Sequence, residues 1–322
     1  GGKSSKSKPK LGYNIKCDKG NLFGRKHFRI RPTVEDASFL RSKLSCDILN
    51  RLDVPSISAN YARVFFNDRF MGLYIIMDIY KKSWVKQVYD DKKVSTLYQC
   101  STAGSDFTMN NVNICVNGND DLDGEMQSLE EFITTINKAQ TRKDLEDIMN
   151  VDYFVQVWIF EWLTGSWDSS LIDGKNYYLY KQITNGKWTI LPYDFDSTFG
   201  PNMGRGHGSD NVLFENYYNP RYIVDVLTKN DTTTFIKNLQ YVLDTAFNPD
   251  ILFPHIDSLK EWLYPYVEED RTPINGVYPG FVNKKIPNPD DPYSLEEFID
   301  NIEYSDVGAN TGIKKWIEKR YN

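Results

Sequence analysis

The chain has 322 residues, 40% apolar and 25% charged, enough to bury a sizeable core and unlike a disordered chain. Its 38 basic and 44 acidic residues leave a net charge of −6, which gives no global basic field for nucleic acid. No apolar run approaches membrane-spanning length.

Taken in order, the basic N-terminus GGKSSKSKPK reads as a disordered tail or cloning scar over 1–11. Residues 12–31 alternate apolar and polar in YNIKC and HFRIR, which predicts two strands and a turn. Within the second, Arg29 and Arg31 share one side of the strand. They read as a phosphate clamp or as a solvated basic face. Apolar residues at helical spacing predict a helix over Asp36–Leu52, stopped by Pro55. YARVFF and FMGLYIIMD then flank Asn67-Asp68 as a hairpin, and one helix would have to cover the resulting sheet. By its place along the chain alone, the segment from Met77 through Asp78 to Tyr80 sits where a hinge would offer backbone groups to an adenine.

Residues 81–128 read as polar turns and broken strands. Asn119, Asp121, Asp123, Gly124 and Glu130 are spaced close to a calcium loop, against a plain turn capped by Ser128 and Glu131. Cys17, Cys46, Cys100 and Cys115 lack metal-ligand spacing. They read as two disulfides, with Cys100–Cys115 the favoured pair across a short loop, or as four buried thiols. Helices follow over Leu129–Ala139, Arg142–Met149 and the nearly all-apolar Val151–Leu163, which Gly165 ends. Beyond residue 200 come a glycine-rich flap containing His207 and further helices at Tyr222–Lys229, Thr233–Phe247, Pro254–Tyr264, Ser294–Tyr304 and Gly312–Lys319. A Pro- and Gly-rich loop interrupts them at Arg271–Pro292, and Asn230-Asp231-Thr232 is a glycosylation sequon.

The chemistry concentrates in residues 167–200, WDSSLIDGKNYYLYKQITNGKWTILPYDFDSTFG. Strand-like Asn176–Lys181 and Lys187–Pro192 flank the turn Asn185-Gly186. A hairpin brings its ends together, so Asp168 and Asn176 from one end meet Asp194 and Asp196 from the other. Converging oxygen ligands of this kind suit a hard divalent cation that bridges phosphates. Each residue also has a plainer use: Asp168 as a turn cap, Trp188 as core, Asp196 as a helix cap.

The buried helix leading into WD, then NYYLY, then GKWTILPYDFDSTFG, preceded by FRIRP, LRSKL and GLYIIMD, resembles the spore-coat H (CotH) kinase family. The match runs from about residue 12 to 200 and more loosely beyond. The resemblance implies an α+β, protein-kinase-like two-lobed fold. Its β-rich N-lobe with one main helix would span 12–80, and its larger helical C-lobe would span 81–322. It further implies ATP and Mg²⁺ or Mn²⁺ as cofactors, and a secreted or cell-surface setting of the kind found in fungal members. A protein substrate, a larger extracellular assembly or a host-surface partner would then follow; two disulfides would suit that setting, and Ca²⁺ would be an addition from the loop at 119–130.

Carried over by residue, Asp168 matches the catalytic aspartate, Asn176 and Asp194 the metal ligands, Trp188 an aromatic that stacks on adenine, and Arg31 the phosphate cation. One spacing departs. Asn176 follows Asp168 by eight residues, where the family usually has about five, so either the loop carries an insertion of about three residues or Asp173 has taken the role. Asp168 is preferred because it follows a buried helix directly. The implied reaction is phosphoryl transfer to a protein hydroxyl. AMP transfer, glutamylation of a protein carboxylate, or a pseudokinase serving as an adhesion protein are the rivals.

Overall fold

Period-two alternation in the first third of the chain builds an antiparallel sheet. The computed structural model describes residues 7–118, 125–200 and 210–322. It places β1 (Tyr13–Lys16), β2 (His27–Arg31), β3 (Ala59–Phe66) and β4 (Arg69–Asp78) in the order β1-β2-β4-β3. The β3–β4 hairpin turns at Asn67-Asp68, as expected. In β2, half-buried Arg29 and Arg31 alternate with buried Phe28 and Ile30, so both arginines face one side.

α1 (Arg41–Arg51) joins that sheet's inner face, sharing a core with Leu73, Ile75 and Met77. It begins later than Asp36, because the Asp36 carboxylate accepts the backbone N–H groups of Ser38 and Arg41, both at 3.0 Å. Phe39, at φ +60°, also breaks the helical path. Of the tail expected to be disordered through residue 11, residues 7–11 are described, and Pro9 and Lys10 bond to the rest of the chain. β2 ends at Arg31 opposite Ile75 and does not reach Leu73. Asp270 accepts the Leu73 N–H at 2.6 Å, Lys10 donates to the Leu73 C=O at 3.1 Å, and the two side chains pair at 2.5 Å. The chain end thus satisfies backbone groups that a strand would otherwise serve. Residues 281–283 run alongside, with the N–H groups of Val282 and Asn283 bonded to the Pro9 C=O.

A second antiparallel sheet holds β5 (Leu97–Cys100), β6 (Val116–Asn117), β7 (Tyr177–Lys181) and β8 (Trp188–Pro192) in the order β6-β5-β7-β8. The architecture is therefore α+β, as expected. α2 (Lys82–Tyr89) stands where broken strands were predicted. α3 (Gln127–Ile136) starts at Gln127, which puts Ser128 inside the helix and removes the expected Ser128–Glu131 cap. Residues 142–149 form only a 3₁₀ turn at Arg142–Asp144, held by a reciprocal Thr141–Asp144 cap. α4 (Val151–Leu163) is buried nearly all round, and Cys100–Cys115 is a disulfide. Cys17 and Cys46 are free thiols, so the second disulfide does not form.

The remainder is helical: α5 (Phe214–Tyr217), α6 (Tyr222–Leu227), α7 (Thr232–Thr245), α8 (Pro249–Asp270), α9 (Leu295–Ile302) and α10 (Ile313–Tyr321). α8 continues through Pro254 and Pro265, well beyond the predicted 254–264. Each interior proline costs about 3 kcal/mol. Five buried apolar residues along one stripe, Leu252, Ile256, Leu259, Leu263 and Val267, offset that cost. The end of α8 delivers Asp270 to Leu73, tying the helical part to the first sheet.

Candidate active site

The β7–β8 hairpin closes its base with a bond from the Tyr193 N–H to the Asn176 C=O at 3.0 Å, which makes Asn176 and Asp194 neighbours. Both residues take left-handed backbone, at φ +62° and +70°, a conformation that Asn and Asp tolerate better than most. Asn176 Nδ2 donates to the Asp168 C=O at 2.8 Å, so its amide oxygen is left for another partner. Asp168 is delivered by the end of α4. There Gly165, at φ +62°, lies so close to Trp316 that a Cβ would sit 2.4 Å from the ring.

Lys175 Nζ pairs with Asp168 at 2.6 Å and reaches Asp173 at 3.3 Å, so both candidate aspartates share one cation. Burial lifts the Asp168 carboxyl above its ordinary range against the pull of Lys175, and the charges of Asp194 and Asp173 add to the rise. Asp168 is also tied to Asn176, at the hairpin base, through its carbonyl.

Arg31, expected to touch phosphate, pairs with Asp194 through Nη1 and with Asp196 through Nη2, the latter at 2.8 Å. Burial would raise the Asp194 carboxyl, but Arg31 holds it below the usual carboxylate range. Asp196 is pushed up to about 6 by burial and by Asp194 beside it. Its side chain keeps 37% exposure, so solvent moderates that shift. Arg29, on the same side of β2, bonds Asn14 Oδ1 at 3.3 Å.

A cleft between the two sheets is lined by Arg29, Arg31, Met77, Asp78, Tyr80 and Asp194. The side chains of the hinge segment already have structural work. Asp78 pairs with Arg25 and accepts the Ser58 N–H at 2.9 Å. The Tyr80 hydroxyl accepts the Ile57 N–H at 3.1 Å and donates to the Pro192 C=O at 3.0 Å. Trp188 is not brought to the cleft. It is 3% exposed and stacks on Phe132 with ring centroids 4.7 Å apart, which leaves no free face for a base. The adenine-stacking expectation is corrected on that geometry: strand alternation turns Trp188 inward, as core. Of the calcium-loop residues, Asn119, Asp121 and Asp123 lie outside the described residues, as does His207, and Glu130 sits in the first turn of α3.

Two residues of the site escaped sequence reasoning. Glu161, 3% exposed in α4, accepts the Ser170 hydroxyl at 2.9 Å and the Leu171 N–H at 3.0 Å, pinning the loop that carries Asp168. Burial pushes its carboxyl up to about 7. The signal was a lone acid near the end of an apolar helix, since a buried carboxylate must find donors. Lys175 was the second; its signal was a cation set between two candidate acids and Asn176.

The oxygen donors at the hairpin base are of the type a hard divalent cation takes. No group of three or more Asp, Glu, His or Cys among the described residues is placed to hold a metal ion. Asn176 offers an amide oxygen and Asp194 a carboxylate at one hairpin base. Among the described residues, the four acids Asp168, Asp173, Asp194 and Asp196 form their ion pairs with Arg31 and Lys175, and Arg29 lines the cleft beside Asp194.

A family model described as "CotH kinase protein" matches residues 1–322. "Spore coat protein homolog 1" of Rhizopus delemar is 24% identical over 92% of this chain and 51% of its own length. "Invasin CotH3" of the same fungus is 27% identical over 77% of this chain and 45% of its own. "Inner spore coat protein H" of Bacillus subtilis is 24% identical, over 83% and 76%. The chain thus spans about half the length of the fungal relatives it matches. A Helicobacter pylori proinflammatory kinase, CtkA, aligns over 83% of this chain and 94% of its own, with TM-score 0.37 and 12% identity.

Proposed function

The chain belongs to the CotH kinase protein family, and from that premise we propose that it transfers the γ-phosphoryl group of ATP to a protein hydroxyl. The observation that carries this reading is the meeting of Asp168, Asn176 and Asp194 at the base of one hairpin, beside a cleft that opens onto the hinge. Asn176 Oδ1 and Asp194 would hold Mg²⁺ or Mn²⁺, which when bound neutralises phosphate charge. Asp168, its carboxyl raised by burial, would orient the acceptor hydroxyl and take its proton. Lys175 would keep Asp168 in place until the acceptor arrives. Arg29 and Arg31 would supply cations to the nucleotide phosphates, and the backbone at Asp78–Tyr80 would meet the base. Positioning and fixed charge would furnish most of the rate.

The Cys100–Cys115 disulfide favours an oxidising compartment. Together with relatives named as invasins and spore-coat proteins, it supports a secreted or surface protein acting on a protein partner there.

The test is intact-mass analysis of the protein and an acidic protein substrate after incubation with ATP, glutamate and Mg²⁺ or Mn²⁺, with Asp194→Ala in parallel. A phosphate-sized gain absent from the variant supports the reading. A gain matching AMP or glutamate would replace it with another transferase reaction. An Asp194→Ala protein that stays folded and fully active would sink the site assignment.

A further inference from the structure

The segment between β5 and β6 does more than connect two strands. The Cys100–Cys115 bond closes it into a short ring, with Cys100 directly opposite Tyr177 in the β5–β7 register. Tyr177 is the residue after Asn176. Ser105, inside the ring and buried, has its hydroxyl 3.2 Å from Cys115 Sγ and 2.6 Å from the Tyr177 hydroxyl. On its other side the ring pairs with the turn that carries Lys175. The Gly104 N–H donates to the Asp173 C=O at 2.8 Å, and the Ser105 N–H donates to the Gly174 C=O at 3.0 Å.

The contact leaves no slack. Gly174 takes φ +64°, and a Cβ there would stand 2.3 Å from the Ser105 C=O. Within the ring, Phe107 packs on Tyr177 with centroids 5.4 Å apart, and its C=O accepts Asn137 Nδ2 at 2.7 Å. The Asp106 carboxylate receives the Thr108 N–H at 3.1 Å and Asn111 Nδ2 at 2.9 Å, which fixes the ring's own shape.

We propose that the ring 100–115, closed by its disulfide, is the positioning element for the turn 173–176, and so sets how well Lys175 and Asn176 are aligned for transfer. The functional half rests on the phosphoryl-transfer reading above. The mechanical half does not. Nucleotide would reach the site from the first sheet and the hinge, through a cleft that no residue of the ring lines. Opening the ring therefore lowers kcat and leaves the KM for ATP in place. Misplacing reacting groups by about 1 Å can lower a rate about a hundredfold, so a partly loosened turn calls for about a tenfold loss.

The experiment compares wild type, Cys100→Ser/Cys115→Ser and Gly174→Ala. The last variant disturbs the same contact with the disulfide intact. Hydrogen exchange is read on peptides covering 102–107 and 168–176, and steady-state kinetics on the same samples. The expected result is exchange faster by about tenfold in those two peptides in the double-serine variant, with the α4 and α8 peptides unchanged. Both variants should show kcat lower by about tenfold and a KM for ATP within about twofold of wild type. Unchanged exchange at 168–176 in the double-serine variant overturns the proposal. So does a kcat equal to wild type in both variants, or exchange that rises across the whole chain. A wild-type protein that moves no phosphoryl group would defeat the proposed function, while the exchange result would still decide the brace.

Discussion

Two ion clusters flank the end of β2, and they are built on opposite terms. On one side Lys10 and Asp270 pair at 2% exposure each, with the remaining bonds taken by the backbone of Leu73 and by Arg271. On the other side Arg31 is shared by Asp194 and Asp196, and Lys175 is shared by Asp168 and Asp173. The first cluster gives its one acid two cations and ties the Lys10–Asp270 pair to the Leu73 backbone, as a structural ion pair needs once water is gone. Arg271 Nε and Nη2, however, find no hydrogen-bond acceptor among the described residues. The second carries more acids than cations and keeps partial contact with solvent. Its carboxylates are pushed apart in their readiness to ionise, Asp194 downward and Asp196 upward. A surplus of negative charge at half-buried oxygens is poor stability design and good cation chemistry.

Breaking each cluster should therefore fail in a different currency. Asp168→Asn keeps shape and removes the carboxylate proposed to take a proton, together with its charge toward Lys175. Transfer should fall by about a thousandfold, with nucleotide-induced stabilisation retained. Single-turnover kinetics beside a thermal-shift titration with ATP would check it; a rate within tenfold of wild type would move the base elsewhere, first to Asp173. Lys10→Met leaves the buried Asp270 carboxylate with the longer Arg271 contact at 3.3 Å in place of its 2.5 Å partner. The loss should be about 3–5 kcal/mol of stability, read by urea unfolding, with activity per folded molecule intact. If Lys10→Met instead lowered kcat at unchanged stability, the contrast drawn here would be wrong.

How much of this contrast was legible beforehand follows from sequence distance. Hairpins and α4 were readable because alternation, the Asn185-Gly186 turn and an unbroken apolar run are local signals. Asp168, Asn176 and Asp194 were readable as a motif around one hairpin, whose base the structure closes between Asn176 and Tyr193. The Lys10–Asp270 pair was not, because its partners are 260 residues apart and a basic tail looks like any other basic tail. Arg31 was singled out, but not the partners it meets, since nothing local says that a strand cation will meet acids 163 and 165 residues away. Trp188 misled because the same alternation that marks a strand permits either face to be inward. α8 was cut short because the cost of each proline is local, and the packing that offsets it is not.

The smallest effect tests the subtlest part of the comparison, the division between Asp194 and Asp196. The Asp196 carboxyl is raised from 3.8 to about 6 in the folded protein, so folding favours its neutral form. That contribution is complete below about pH 4 and is lost as pH rises through about 6. Taken at face value the shift would be worth about 3 kcal/mol. Asp196 keeps more than a third of its side chain in solvent, and screening reduces the expected loss to about 1 kcal/mol. Asp196→Asn keeps an oxygen for Arg31 Nη2 and cannot ionise. Urea unfolding of wild type and Asp196→Asn across this range should give curves that meet at low pH and separate by that amount near neutrality, the variant being the more stable. Parallel curves would mean that Arg31 neutralises both acids equally. Curves that separate with the wild type more stable would mean that Asp196, not Asp194, is the acid Arg31 holds ionised. The proposed metal-ligand role would then pass from Asp194 to Asp196.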